Sequence, residues 1–485
     1  MGFAEVRTRR SVAALILCAV AATGCSEPTA TSETTGVSPS TSGGAGCPPG
    51  ACSSSPDSDS QSASEAPATD TQASCGNGLV EPNEQCDGAP VFGVPCPDTC
   101  RFEPATVLWE AVFDWQSGSD NGRAIAIARD SSIVVAGDTG KSDGQGGPLL
   151  VWVSEDGAVL RFVVAEPDPD QALRPDTATS VHVDADGVVV AGRDLEQEVW
   201  LARYSHDGDL VWQTGYSAMD PDSPTTAGNA FCLKDGRIAL VTYLDLGGMA
   251  PGRIAYFEEE MLEGEEQFSG PEYMPGFGSL SGLRGVALSE ADMLVFGSAR
   301  TGVTRSPWMQ RRVLGGAATW ELMLDSQPGE LLDRFTGAAI AADGTLVLVA
   351  HRTLDPAELR DAWVGAFSPD GVLLWSDAYT GEYQRDDFPS GVATDVYGNA
   401  FVHLTVSDDN HPQPEANYDF VLIKYDATGE RQWLDRWSGT GDGNGLMSWD
   451  QSGGVAVDPD GFVVVTGSTL NGDSGYDVIV RKLAP

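Results

Sequence analysis

The chain has 485 residues, with 28 Lys and Arg against 71 Asp and Glu and a formal net charge of −43. Its length admits one large domain with attachments, or two to three domains, and its charge repels nucleic acid and anionic lipid head groups. No nucleic-acid partner is therefore expected, and 57 glycines, with few Lys and Cys outside the front of the chain, fit a turn-rich β domain.

Residues 1–24 carry Arg7, Arg9 and Arg10 and then an apolar run from Val12 to Ala22, too short for a comfortable membrane span and suited to a secretory signal. The run ends Ala22-Thr23-Gly24-Cys25, which resembles a bacterial lipoprotein lipobox, with Ala22 where Leu is preferred. The resemblance implies a diacylglyceryl thioether on Cys25, cleavage before it, and a firm hold on a bilayer. Ordinary secretion is the alternative. Ser26 after the cysteine is similar to lipoproteins sorted to the outer membrane, so the expected location is the cell envelope.

Residues 25–74 are Ser, Thr, Pro, Gly and Ala with scattered acids and neither Lys nor Arg. Such a segment buries too little apolar surface to offset its ordering entropy, and a disordered, self-repelling tether is expected. Cys47 and Cys52 either close a small loop or stay as thiols.

Residues 75–103 hold Cys75, Cys86, Cys96 and Cys100. About thirty residues cannot build a core, so an exported module of this size needs staples. Two disulfides, in one of three connectivities, are favoured over a zinc site. The string from Cys75-Gly76-Asn77-Gly78 to Gln85-Cys86-Asp87 resembles the myxobacterial cysteine-rich repeat. A rigid collar is expected here.

From residue 104 onward one unit recurs about every 50–60 residues: strand, tight turn, strand, then a second hairpin. The clearest copy starts Gly453-Gly454-Val455-Ala456-Val457-Asp458-Pro459-Asp460-Gly461. Small residues align in the first strand (Ala126, His182, Cys232, Ala287, Ala339, Ala393, Ala456), and aromatics align after the last turn (Phe162, Trp212, Phe268, Trp320, Trp375, Trp433). The final copy stops after its third strand, while Thr106–Phe113 has no partner of its own. An all-β, seven-bladed β-propeller spanning 104–485 is predicted, closed by that N-terminal strand with Trp109 as the seventh aromatic. These copies resemble the bacterial seven-bladed β-propeller repeat of exported proteins, less well in the third and fourth copies, which leaves the blade count open by one.

Chemistry is sparse. His182 reads as a packed, hydrogen-bonded core histidine, with a ligand role in a central channel as the alternative, and Cys232 as a buried thiol. The strings Asp184-Ala185-Asp186-Gly187 and Asp458-Pro459-Asp460-Gly461 invite calcium but suit hairpin turns better, with Asp bonding nearby backbone and Gly at positive φ. No catalytic residue, cofactor or metal is expected. Binding is expected instead on the connections after second strands and between blades, which share one face and include Asp143, Asp168, Asp408, Asp442, Asn444 and Trp449.

The favoured function is a lipid-anchored, monomeric envelope protein whose propeller binds proteins or glycans without catalysis. One alternative is a propeller enzyme, either a lyase or hydrolase or a quinone-cofactor dehydrogenase, whose repeats the Asp-x-x-Gly-x-x-x-Trp strings also resemble. A domain without any small-molecule site is the other.

Overall fold

Each repeat folds as a four-stranded antiparallel sheet because apolar alternation pays out on both faces: every sheet is sandwiched between two others. The computed structural model describes residues 75–485, except 78, 81–83, 141–145, 169–172, 196–197, 218–224, 234–235, 245–250, 272–279, 290, 302–303, 325–330, 354–359, 382–385, 408–416, 440–447 and 472–474. At 225–228, 244, 301, 304, 417 and 448–449 the description is of backbone alone.

Seven sheets form the ring, and all have the meander order expected of blades. Their innermost strands are Ser119–Ile127, Pro175–Val183, Thr225–Cys232, Leu280–Ala287, Leu331–Ile340, Asp387–Thr394 and Gln451–Val457. Each lies against the next, and the seventh lies against the first. The seventh sheet takes its outermost strand from the front of the domain: Val107–Phe113 pairs antiparallel with Gly475–Leu483, placing Phe113 opposite Val478 and Trp109 opposite Lys482. The seam packs like any other blade interface. Phe113, Val464, Val478 and Val480 of the seventh blade meet Ile133, Val135, Leu149 and Val151 of the first.

The ladder registers correct both columns read from the sequence. Trp109, Trp212, Trp320, Trp375 and Trp433 occupy one position, opposite Lys482, Arg203, Arg311, Ala366 and Lys424. In the first blade Arg161 stands there, opposite Trp152, and in the third Gly264, opposite Tyr256, so Phe162 and Phe268 are not its equivalents. The small first-strand column is likewise displaced by one in the third and fourth copies. Phe231 and Val286 are the true counterparts of Ala126, opposite Ala239 and Leu294, and Cys232 and Ala287 follow them.

The tryptophans explain the repeat's Gly. Trp375 packs over the second hairpin turn of the next blade and donates Nε1–H to the Ala427 carbonyl at 3.1 Å. Gly429 of that turn has φ +88°, and a Cβ there would sit 2.5 Å from the Trp375 ring. Only glycine meets both demands. Trp320 makes the same contact with Pro369, and Arg161 substitutes in the first blade by donating to the Asp207 carbonyl.

The cysteines pair as Cys75–Cys100 and Cys86–Cys96. The module they staple is seated on the seam blade, where Cys86 and Phe102 share a cluster with Leu108, Phe462 and Ala484. Phe92 meets Phe462 edge-on at 6.5 Å. Beneath them Lys482 and Asp458 form an ion pair of 2.8 Å, both side chains 1% exposed.

Candidate functional site

The sequence treats the innermost strands as regular, but each carries a register shift at the same depth. The shifts fall between Gly122 and Ala124, Ala178 and Ser180, Ala227 and Asn229, Ser281 and Arg284, Phe335 and Gly337, Pro389 and Gly391, and Ser452 and Val455. A β-bulge re-aims a side chain out of the alternating pattern. Here the re-aimed residues include Arg123, Thr179, Thr336 and Ser390, and they line a cavity of about 320 Å³.

This cavity lies on the ring axis. Its wall comes from the first, second, fourth, fifth, sixth and seventh blades, including Asn121, Arg284, Arg334, Phe388 and Ser452. A neighbouring cavity of about 210 Å³ shares Thr179, Arg284, Arg334 and Thr336 and adds Tyr243 of the third blade. Both lie toward the end where the innermost strands begin, so the blade-to-blade connections enter around them.

Buried carboxylates brace those connections. Asp120 accepts the Trp115 amide, Asp387 the Gly381 amide at 2.6 Å and Asp450 the Gly439 amide at 2.7 Å. Each sits at or just before the start of an innermost strand. Burial pushes the Asp387 carboxyl up to about 7, against the Gly381 bond that lowers it. Burial also raises Asp120, while bonds from Thr139 and Trp115 oppose the shift.

The cavity is electrostatically unbalanced. Arg123 is paired with Asp138. Arg284 and Arg334 have neither a hydrogen bond nor an ion pair with any described residue, and Arg334 Nε is buried without a partner. Arg284 is exposed to the cavity, yet desolvation inside the ring lowers its pKa and the Arg334 charge lowers it further. His351 also lines the cavity, and burial together with the charges of Arg334 and Arg360 holds it down to about 4. The imidazole is therefore neutral at physiological pH.

The loop residues singled out by sequence fare differently. Asp143, Asp408, Asp442 and Asn444 lie outside the described residues, as does Cys25. Asp168 pairs through its backbone with Leu173. Trp449 lies on a short strand, Ser448–Trp449, that runs parallel to Asn417–Tyr425 and opposes Tyr418. Asp450 next to it closes the base of the 439–450 connection.

At the other end of the axis the Asp-Gly strings do what turn chemistry expects. Asp458 Oδ1 accepts the amides of Asp460 and Phe462, and Asp184 Oδ1 accepts that of Asp186. They also do something the sequence did not reveal: Asp184 holds Arg203 in a two-bond pair at 2.9 and 3.0 Å. Burial raises the Asp184 carboxyl, but the Arg203 contact outweighs it and leaves the pKa at about 2.

His182 is not sealed in the core; it is half-buried at a cavity of about 520 Å³ beside Asp184 and Cys232. Among the described histidines, His351 and His403 are the buried ones, and His403 is wholly enclosed, against Phe420 and Trp437. Cys232 is buried and unpaired, and burial raises its thiol pKa. Among the described residues, the groups with metal-like spacing are built around Cys75, Cys96 and Cys100, whose sulfurs are already spent in disulfides.

The arginine pair escaped sequence reading because its two members come from different blades, and nothing local marks either one. The available signal was a polar residue interrupting first-strand alternation at one depth in successive copies.

No family model matches the chain, and no curated protein matches it. Solved structures do. The β-propeller domain of Cps50 (Swd1) from Myceliophteria thermophila aligns at 10% identity and a TM-score of 0.45, over 78% of this chain and all of that one. A polysaccharide lyase, the PL25 ulvan lyase, aligns at 10% identity and 0.48, over 76% of this chain and 94% of that one. Drosophila Plexin A, in complex with Semaphorin 1b, aligns at 11% identity and 0.43, over 79% and 88%. At such identities function has to be argued from this chain's own residues.

Proposed function

We propose that this protein is a lipid-anchored component of the cell envelope whose propeller is a binding scaffold for protein or glycan, and that binding occurs on the face where the blade-to-blade connections surround the axial cavity. The carrying observation is the bulge ring with its buried Asp braces. Asp120, Asp387 and Asp450 fix the roots of connections whose sequences vary, and a rigid frame under variable loops is the arrangement binding surfaces favour. The signal-like start, Cys25 and the acidic tether supply the envelope reading, and the exported context agrees with two disulfides. The protein acts as a monomer and takes no cofactor in this reading.

The Asp-x-x-Gly-x-x-x-Trp strings that suggest a quinone enzyme have a packing role here, since Trp375 covers the turn of Gly429. That observation weighs against the enzymatic alternative.

Two measurements test the proposal. Metabolic labelling with a fatty acid should mark the wild type and not Cys25→Ala; labelling of both would remove the lipid anchor. Binding to native envelope and matrix material should weaken at least fivefold in the combined variant Asp442→Ala, Asn444→Ala, Trp449→Ala. Unchanged binding would take that face out of the account.

A further inference from the structure

Arg284 and Arg334 have no ion-pair partner among the described residues, in a protein with a large excess of acids. Elsewhere in the ring, enclosed arginines are matched: the buried Arg203 by Asp184 and Arg312 by Glu266, and the half-buried Arg481 by Asp435. Arg284 is exposed to the cavity and Arg334 is half-buried, and two like charges facing one cavity repel, so leaving them together costs stability unless a counter-charge arrives. No described carboxylate supplies one. The surroundings fit an incoming anion. Thr179 and Thr336 line both cavities with the arginines, and Asn121, Ser390 and Ser452 line the larger one, with no acid among the described lining residues. The Thr336 and Ser390 hydroxyls already donate to the Pro389 and His403 carbonyls, and the Asn121 amide to Asp138, so the guanidinium groups are the donors left for an anion. Neutral His351 and the Phe388 ring complete the larger wall with an aromatic surface.

We propose that the axial cavity binds the oxyanion of a saccharide-sized acidic ligand, with the group held between the guanidinium groups of Arg284 and Arg334 in a wall of polar, uncharged side chains. Guanidinium forks match the planar or tetrahedral oxygens of carboxylate, sulfate and phosphate, and such charge-assisted bonds exceed neutral ones. A volume of about 320 Å³ falls at the lower end of small-ligand sites and suits one sugar-sized group. The bulges at Thr179, at Thr336 and just before Arg284 are what turn these side chains to the axis. This proposal rests on the binding-face reading above and names the ligand chemistry of that face.

The test is calorimetric titration and thermal melting of the full protein with sodium sulfate, sodium phosphate and sodium glucuronate, at ionic strength held constant with sodium chloride. At least one probe should bind saturably and raise Tm, and glucuronate binding without sulfate or phosphate binding would identify a carboxylate ligand. Arg284→Met and Arg334→Met should each weaken binding tenfold or more, while Arg129→Met, on the opposite opening, should leave it unchanged. Without ligand, the double variant should melt higher than the wild type, because a repulsion has gone. Arg284→Lys should keep part of the affinity and serves where the Met variants fail to fold. Absence of saturable binding by all three probes would overturn the proposal, as would undiminished binding in the double variant or a lower melting point for it without ligand. Oxyanion binding that persists while envelope binding ignores the loop variant would sink the face reading and leave this site standing.

Discussion

Trp109 donates its indole N–H to the carbonyl of Glu155 at 2.9 Å, across the junction between the seventh blade and the first. The two residues are contributed by the strand that closes the ring and by a hairpin turn of the blade beyond it. Gly157 of that turn has φ +86°, and a Cβ there would lie 2.8 Å from the indole ring. This is the Trp375–Ala427 contact again, made at the point where the chain's ends meet. The seam thus reuses the interface that joins blades elsewhere.

The contact predicts an asymmetry between two tryptophans at equivalent positions. Trp433 Nε1 has no acceptor among the described residues, since the third and fourth strands of the seventh blade belong to opposite ends of the domain and no hairpin turn joins them. Trp109→Phe should therefore cost about 1 kcal/mol more than Trp433→Phe, the net worth of one hydrogen bond. Urea unfolding of both variants reads the difference; equal losses would dismiss it.

Lys482 carries a second prediction. It is buried between Asp458, Glu155 at 3.4 Å, and the rings of Phe92 and Phe462, at 4.4 and 5.3 Å from the ring centres. Lys482→Met strands the buried Asp458 and should cost about 3–5 kcal/mol. Asp458→Leu leaves the ammonium only Glu155 at 3.4 Å and strips the Asp460 and Phe462 amides of their acceptor, so it should cost about as much. The double variant should be far less damaged than the sum. Additive losses in a double-mutant cycle would show that the two charges do not depend on each other.

Two carboxylates are predicted to tilt the pH dependence of stability in opposite directions. Asp387 is raised from 3.8 to about 7. The folded state holds its proton more tightly than the unfolded state, so its contribution is whole below about pH 4 and is lost as pH rises through 7. Asp184 is lowered to about 2. Its contribution is whole above about pH 4 and is lost as pH falls through 2. Asp387→Asn should gain roughly 4 kcal/mol over the wild type at pH 8 and little at pH 4, by denaturant unfolding. A gain independent of pH would mean that the carboxyl does not titrate with folding.

Much of the architecture was legible in the sequence because its causes are local. Alternation around Asp458-Pro459-Asp460-Gly461 specifies a hairpin in isolation, and the repeat of that pattern specifies a ring. The unpaired strand at Trp109 was legible for the same reason: a strand without a partner and a sheet lacking one imply each other. What escaped was whatever depended on register. Phe162 looked like a column aromatic because it stands one residue after Arg161, and only the ladder decides between them. Cys232 and Phe231 pose the same ambiguity. The axial cavity was less legible still. It is assembled from bulges, which interrupt the very alternation used to find strands, and from arginines in blades that meet only in space. His403 shows the limit from the other side: packed against the contacting rings of Phe420 and Trp437, it owes its burial to residues downstream in the same blade.

The account depends most on closure of the ring by the domain's first strand, and amide hydrogen exchange on the full protein tests this directly. Amides of 107–113 that bond to 478–483 should exchange only with global unfolding, at the same free energy as those of 478–483 themselves. Rapid exchange across 107–113, with 478–483 still protected on their inner side, would show an open ring and contradict the account.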